Sequence, residues 1–158
     1  MKVIFLDMDG VLNYWGSGTE DVPTEDRILS SYIGLSYAYI SKTKANLFSE
    51  YIRQHPDIKI CVSSTWRVYY PTVKKMITDF KSMGLPGDNI VGRTDDLRTY
   101  NNRHLEIAAW INSHDVEAFV ILDDIEDFGV LQDHLVWTDP TVGLTEEDLV
   151  KVSKILGL

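Results

Sequence analysis

A single cysteine, Cys61, occurs in the whole chain. It allows no internal disulfide and no cysteine-built zinc cluster. The four histidines show no metal-ligand spacing. Basic residues are in deficit: 15 Lys and Arg face 24 Asp and Glu, a formal net charge of −9. That balance argues against a broad nucleic-acid-binding surface, though it leaves room for a local basic pocket. No apolar run approaches the length of a membrane-spanning helix, which predicts no membrane association. The first strand begins by Val3, which predicts no signal peptide. Neither an internal repeat nor a low-complexity segment is visible. These absences together predict a reducing, cytoplasmic setting.

What is present suits one folded domain spanning 1–158. A hydrophobic fraction of 44% and a charged fraction of 25% are ordinary for a globular protein. The first apolar run, Val3 to Leu6, ends in Asp7-Met8-Asp9-Gly10-Val11. Its lack of alternation suits a parallel strand covered on both faces. Two carboxylates spaced by two at the end of such a strand are expected to point the same way. Acids so close repel unless a cation or a shared proton intervenes, and a hard divalent cation is the first candidate.

Strand and helix patterns then alternate. Asn13 to Ser41 contains a polar stretch with Gly16, Gly18 and Pro23, expected to be a loop, flap or minimal cap, and an ambiguous segment, Ile28 to Ile40. Lys42 to Gln54 has helical spacing and stops before Pro56. Ile58 to Val62 predicts a strand, leading into Ser63-Ser64-Thr65-Trp66-Arg67. Pro71 to Lys81 predicts a helix, Ile90-Val91 a short strand, and Arg93 to Asn102 a polar loop. Arg103 to Ser113 predicts a helix, and Ala118 to Leu122 a strand ending in Asp123-Asp124. Leu135 to Trp137 predicts a last strand, and Thr145 opens a last helix whose first turn is acidic. The order implies an α/β fold, a Rossmann-like parallel sheet with helices on both faces.

In such a sheet the carboxyl ends of the strands share one edge. Three ends carry polar groups: Asp7 with Asp9, Ser63 with Ser64, and Asp123 with Asp124. Carboxylates offer hard oxygen ligands suited to Mg²⁺. A serine hydroxyl and backbone N–H groups can hold a phosphate oxygen, and Arg67 or Arg103 can neutralise its charge. These are the parts of a phosphoryl-transfer site, where catalysis is mostly positioning and charge stabilisation.

Asp7-Met8-Asp9-Gly10-Val11-Leu12 resembles the first motif of the haloacid dehalogenase (HAD) superfamily in its phosphatase form. Ser63-Ser64-Thr65 resembles the second motif, Arg103 the basic third and Ile121-Leu122-Asp123-Asp124 the acidic fourth. The motifs fall in the family's order and span nearly the whole chain. Ser64-Thr65-Trp66-Arg67, Arg103 to Trp110 and Gly143-Leu144-Thr145 further resemble a small HAD group linked to RNA-repair proteins. The resemblance implies a HAD-like fold and a phosphate monoester substrate. It implies Asp7 as nucleophile, forming an aspartyl-phosphate, and Asp9 as acid and then base. It implies Mg²⁺ between Asp7, the backbone carbonyl of Asp9, and Asp123, with Asp124 nearby. Ser64 is favoured over Ser63 for phosphate, from its spacing to Trp66, and Asp127 is a further acid at a spacing some members use. HAD enzymes that displace halide lack the second acid, so Asp9 points to a phosphate ester.

Each residue also has an ordinary reading. A strand can end in two acids at a simple turn, and Ser63 or Ser64 can be a cap. Arg67, Arg93 and Arg98 read first as solvated surface and second as substrate contacts. Trp66 and Trp110 read as packing, and Cys61 as a small buried hydrophobe. No large cap domain is visible, which suits a large substrate such as a polynucleotide end. The runner-up is a nucleotide or other metabolite. A different class stays open, a HAD-fold binding or regulatory protein with weak turnover.

Overall fold

Lys2–Leu6 forms β1, and every residue from Val3 to Leu6 is buried. The computed structural model describes residues 1–16, 21–98 and 102–158. Parts of the expected flap (17–20) and of the expected polar loop (99–101) lie outside the described residues. Strand β4 (Lys59–Val62) pairs parallel to β1 on one side, and β6 (Ala118–Asp123) on the other. Strands β5 (Ile90–Arg93) and β7 (Leu135–Trp137) complete a parallel sheet in the order β5-β4-β1-β6-β7. The central place of β1 explains its unbroken apolar run: both of its faces are covered.

Alternation along the strands separates two cores. Ile4, Leu6, Ile60, Val62, Val120 and Leu122 join the larger one. Helices α1 (Lys42–Gln54), α2 (Val73–Ser82) and α4 (Glu146–Leu156) cover it with Phe48, Phe80 and Val152. Val3, Phe5, Cys61 and Ile121 face the other side, against Ile107 and Trp110 of α3 (Arg103–Asn112). The fold is α/β and Rossmann-like, as expected, with helices on both faces.

Helix ends follow local chemistry. Helix α2 starts two residues after Pro71 because the Thr72 hydroxyl accepts from Lys75 N at 3.2 Å. Thr145 and Asp148 form a reciprocal capping box at α4. The ambiguous segment becomes an antiparallel hairpin of β2 (Arg27–Leu29) and β3 (Tyr39–Ser41). Asp26 ties its base to α1, accepting from Ser41 Oγ at 2.5 Å and from Thr43 N at 3.0 Å. Among the described residues, no helix is long and apolar enough to cross a membrane.

Candidate active site

Strand register assembles the centre. Leu6 pairs with both Val62 and Leu122. The next row across the three strands is therefore Ser63, Asp7 and Asp123. Main-chain bonds continue into that row: Ser63 N donates to Leu6 O and Asp7 N to Leu122 O, both at 3.0 Å. These three residues share parity with Cys61, Phe5 and Ile121, which face α3. Arg103 opens α3 and so arrives on the same side. Its Nη1 lies 3.3 Å from Asp7 Oδ2 and 2.5 Å from Asp123 Oδ2.

Asp7, Asp123 and Asp124 each present a carboxylate oxygen, all within 4.8 Å of one another. Burial and the charge of Asp123 push the Asp7 carboxyl up from 3.8 to about 7. Burial and the charge of Asp7 raise Asp124 to about 6. Asp123 is raised as well, chiefly by burial, against the pull of Arg103. The two acids in turn hold Arg103 firmly protonated despite its burial. A cluster of hard oxygens that resists ionisation in the absence of a cation fits Mg²⁺. Gly10 makes room for it. Its φ is +79°, and a Cβ there would lie 2.6 Å from Asp124 Cγ.

Asp9 is not one of these three acids, although its charge also helps to raise Asp7. Strand β1 ends at Leu6, and Val11 N and Leu12 N turn back to Met8 O at 3.2 and 2.9 Å. The expected strand therefore stops short of Asp9, which sits in a turn. Asp9 Oδ1 accepts from Asn13 Nδ2 at 2.9 Å and from Trp66 Nε1 at 3.1 Å. Asn13 also accepts from Gly10 N and donates to Tyr39 O. It joins the acid loop to the β2–β3 hairpin.

The two serines differ. Ser64 Oγ accepts from Trp66 N at 3.1 Å and caps a 3₁₀ turn, Thr65–Tyr69. Ser63 Oγ is buried without a hydrogen-bond partner among the described residues. Arg67 is not at the surface: it is 3% exposed and paired with Glu106 at 3.0 Å. It also donates to the carbonyls of Thr94, Ser64 and Asp95. All that charge faces protein, which leaves no free fork for a substrate. Arg93 Nη1 donates to Arg67 O at 2.9 Å and Tyr70 O at 2.6 Å. Arg98 is exposed, with a positive φ of 53°. Asp127 is exposed too, where it accepts from Gly129 N. Cys61 is fully buried, and burial pushes its thiol far up.

Sequence reasoning passed over Asn13, Glu106, Trp137 and the polar role of Trp66. Glu106 carried a usable signal, since it stands three residues after Arg103 on one helix face. Trp137 Nε1 donates to Asp124 O at 2.8 Å, a contact across strands with no local signature.

Comparison with curated proteins and with solved structures found no match. A family model, HAD domain in Swiss Army Knife RNA repair proteins, matches residues 3–149. That span takes in all four motifs and the Gly143-Leu144-Thr145 segment, so the chain belongs to the family of HAD domains found in Swiss Army Knife RNA repair proteins.

Proposed function

We propose that this domain, spanning 1–158, is a Mg²⁺-dependent phosphatase of phosphate monoesters, acting at a polynucleotide end through an aspartyl-phosphate on Asp7. The observation that carries this reading is that the two acids have different surroundings. Asp7 sits among acids and a cation, while Asp9 is held separately by Asn13 and Trp66. Asp7 attacks phosphorus as the ester oxygen departs, and Asp9 gives that oxygen its proton. Its Oδ1 is engaged, so Oδ2 is the oxygen that carries the proton. Asp9 then takes a proton from the water that attacks phosphorus and releases Asp7 as a carboxylate. Arg103 and Ser63, with Ser64 beside it, hold phosphate oxygens. The Ser63 hydroxyl is the stronger candidate because it has no other partner. Mg²⁺ would be held by Asp7, Asp123 and Asp124, with the Asp9 carbonyl as a further donor, and would supply charge neutralisation between carboxylate and phosphate.

The test is hydrolysis of an aryl phosphate with and without Mg²⁺. Asp7→Asn abolishes turnover, and Asp9→Asn lowers kcat by about 10²–10⁴-fold. Turnover that survives Asp7→Asn would overturn the nucleophile assignment. A panel of 3′-phosphorylated and 5′-phosphorylated oligonucleotides and mononucleotides then separates the substrate classes, and preference for mononucleotides selects a nucleotide phosphatase instead. One observation favours a binding protein with weak turnover: Arg103 already neutralises Asp7 and Asp123. Absence of hydrolysis on the whole panel would select that reading.

A further inference from the structure

The phosphatase reading leaves open what grips the strand behind the phosphate. Arg67 does not, because its guanidinium is committed to internal carbonyls and to Glu106, and Arg93 spends its Nη1 on the carbonyls of Arg67 and Tyr70. Another surface has the required chemistry. A groove of about 630 Å³ runs between α2 and the loop of the β2–β3 hairpin, lined by Tyr32, Thr72, Lys74, Lys75 and Thr78. Lys74 and Lys75 are exposed and form no ion pair among the described residues. They make a local basic patch on a chain of net charge −9. Tyr32 is 44% exposed, with Lys75 Nζ 5.9 Å from its ring centroid.

The groove is preformed. Asp79 lies beneath it, 5% exposed, and its charge is met from several sides. It accepts from Ser30 Oγ at 2.5 Å, Tyr70 Oη at 2.6 Å, and Ser31 Oγ and Tyr32 N at 3.3 Å. Those bonds fasten the hairpin loop to α2, so little ordering remains to oppose binding. A chain of contacts links the groove to Asp9. Tyr32 packs against Tyr70, ring centroids 5.3 Å apart. Tyr70 closes the 3₁₀ turn that carries Trp66, the donor to Asp9. Four residues of such a turn span about 8 Å.

Unpaired lysines beside an exposed ring suit single-stranded nucleic acid, with ammonium groups on the backbone and a ring under a base. We propose that this groove holds the unpaired strand next to the phosphorylated end. The end it presents rests on the phosphatase reading, but strand binding is measurable without turnover.

The test measures binding of a short fluorescent single-stranded RNA, without a terminal phosphate, to the full chain. Fluorescence anisotropy is followed across a salt series. The double variant K74E/K75E weakens binding at least tenfold and flattens the log Kd against log salt slope by about 1.4, from two single-strand contacts at about 0.7 each. Tyr32→Leu weakens it about 5- to 100-fold, as loss of one base stack does. Aryl phosphate hydrolysis stays at the wild-type level in both, because neither touches the acids. Unchanged RNA affinity in K74E/K75E would overturn the proposal. So would an acidic peptide that binds more tightly than RNA and is released by the same variants. Groove-dependent RNA binding with no phosphatase activity would support the groove and overturn the phosphatase reading alone.

Discussion

Ser63 leaves β4 with a buried hydroxyl that no group among the described residues answers, whereas Ser64 spends its oxygen on a cap. An unmet buried hydroxyl costs stability, and a hydrogen bond to a charged group is worth about 1.5–3 kcal/mol. Ser63→Ala is therefore expected to lower kcat/KM by about 10- to 100-fold while leaving the melting temperature unchanged or higher. Ser64→Ala should instead cost about 1 kcal/mol of stability through the lost cap. Steady-state kinetics and thermal melts on both variants check this, and equal kinetic loss in the two would refute it. At this scale, the acids at 7, 9, 123 and 124 were legible because acids rarely end buried strands without a reason. The choice between the serines was not, since it depends on which hydroxyl the next turn claims. Nor was Asn13, whose three polar contacts reach Asp9, Gly10 and Tyr39.

Helix α3 is held by more than apolar packing. Glu106 accepts from Arg67 Nη2 at 3.0 Å and from Leu97 N at 2.8 Å. One turn earlier on the same helix stands Arg103. Arg67 thereby links the Ser63-Ser64 carbonyls, the segment after β5 and the helix that delivers Arg103. Burial holds the Arg67 guanidinium below its ordinary value, and Glu106 opposes that shift. Removing one member of a buried pair strands the other, at about 3–5 kcal/mol. Glu106→Ala is expected to lower unfolding free energy by that amount in urea titration, and a loss below 1 kcal/mol would mean that water replaces the carboxylate. Most elements were legible here: α1 falls over the expected Lys42–Gln54 because its apolar spacing is regular and Pro56 follows. The β2–β3 hairpin was not. Its strands have three residues each, too short for a period to emerge, and Asp26, Asn13 and Asp79, far apart in the chain, fasten it.

The whole molecule gathers negative charge where it expects a cation, and pH exposes the cost. Asp7 and Asp124 ionise at about 7 and about 6 in the folded chain, against 3.8 ordinarily. A folded carboxyl raised in this way binds protons more tightly than the unfolded one. Its stabilising contribution is complete below about pH 3.8 and is lost as pH rises through 6 to 7. In EDTA, the contribution of these acids to the melting temperature should thus fall between pH 5 and pH 8. Mg²⁺ should raise the melting temperature more at pH 8 than at pH 5, because at low pH it competes with protons. A Mg²⁺ shift independent of pH, in melts taken across the series, would exclude these acids as its ligands.

The alternation of strands and helices, the parallel sheet, the acids and serines at the strand ends, and the arginine opening α3 can all be read along the chain. Those features depend on local apolar period and on residue type, which a single chain displays directly. The partners came only with the closed sheet. Register set Ser63, Asp7 and Asp123 in one row. A turn after Leu6 gave Asp9 the partners Asn13 and Trp66, and a buried carboxylate on α3 claimed Arg67. Contacts between residues far apart in the chain leave no periodic trace, because their geometry exists only once the sheet has closed.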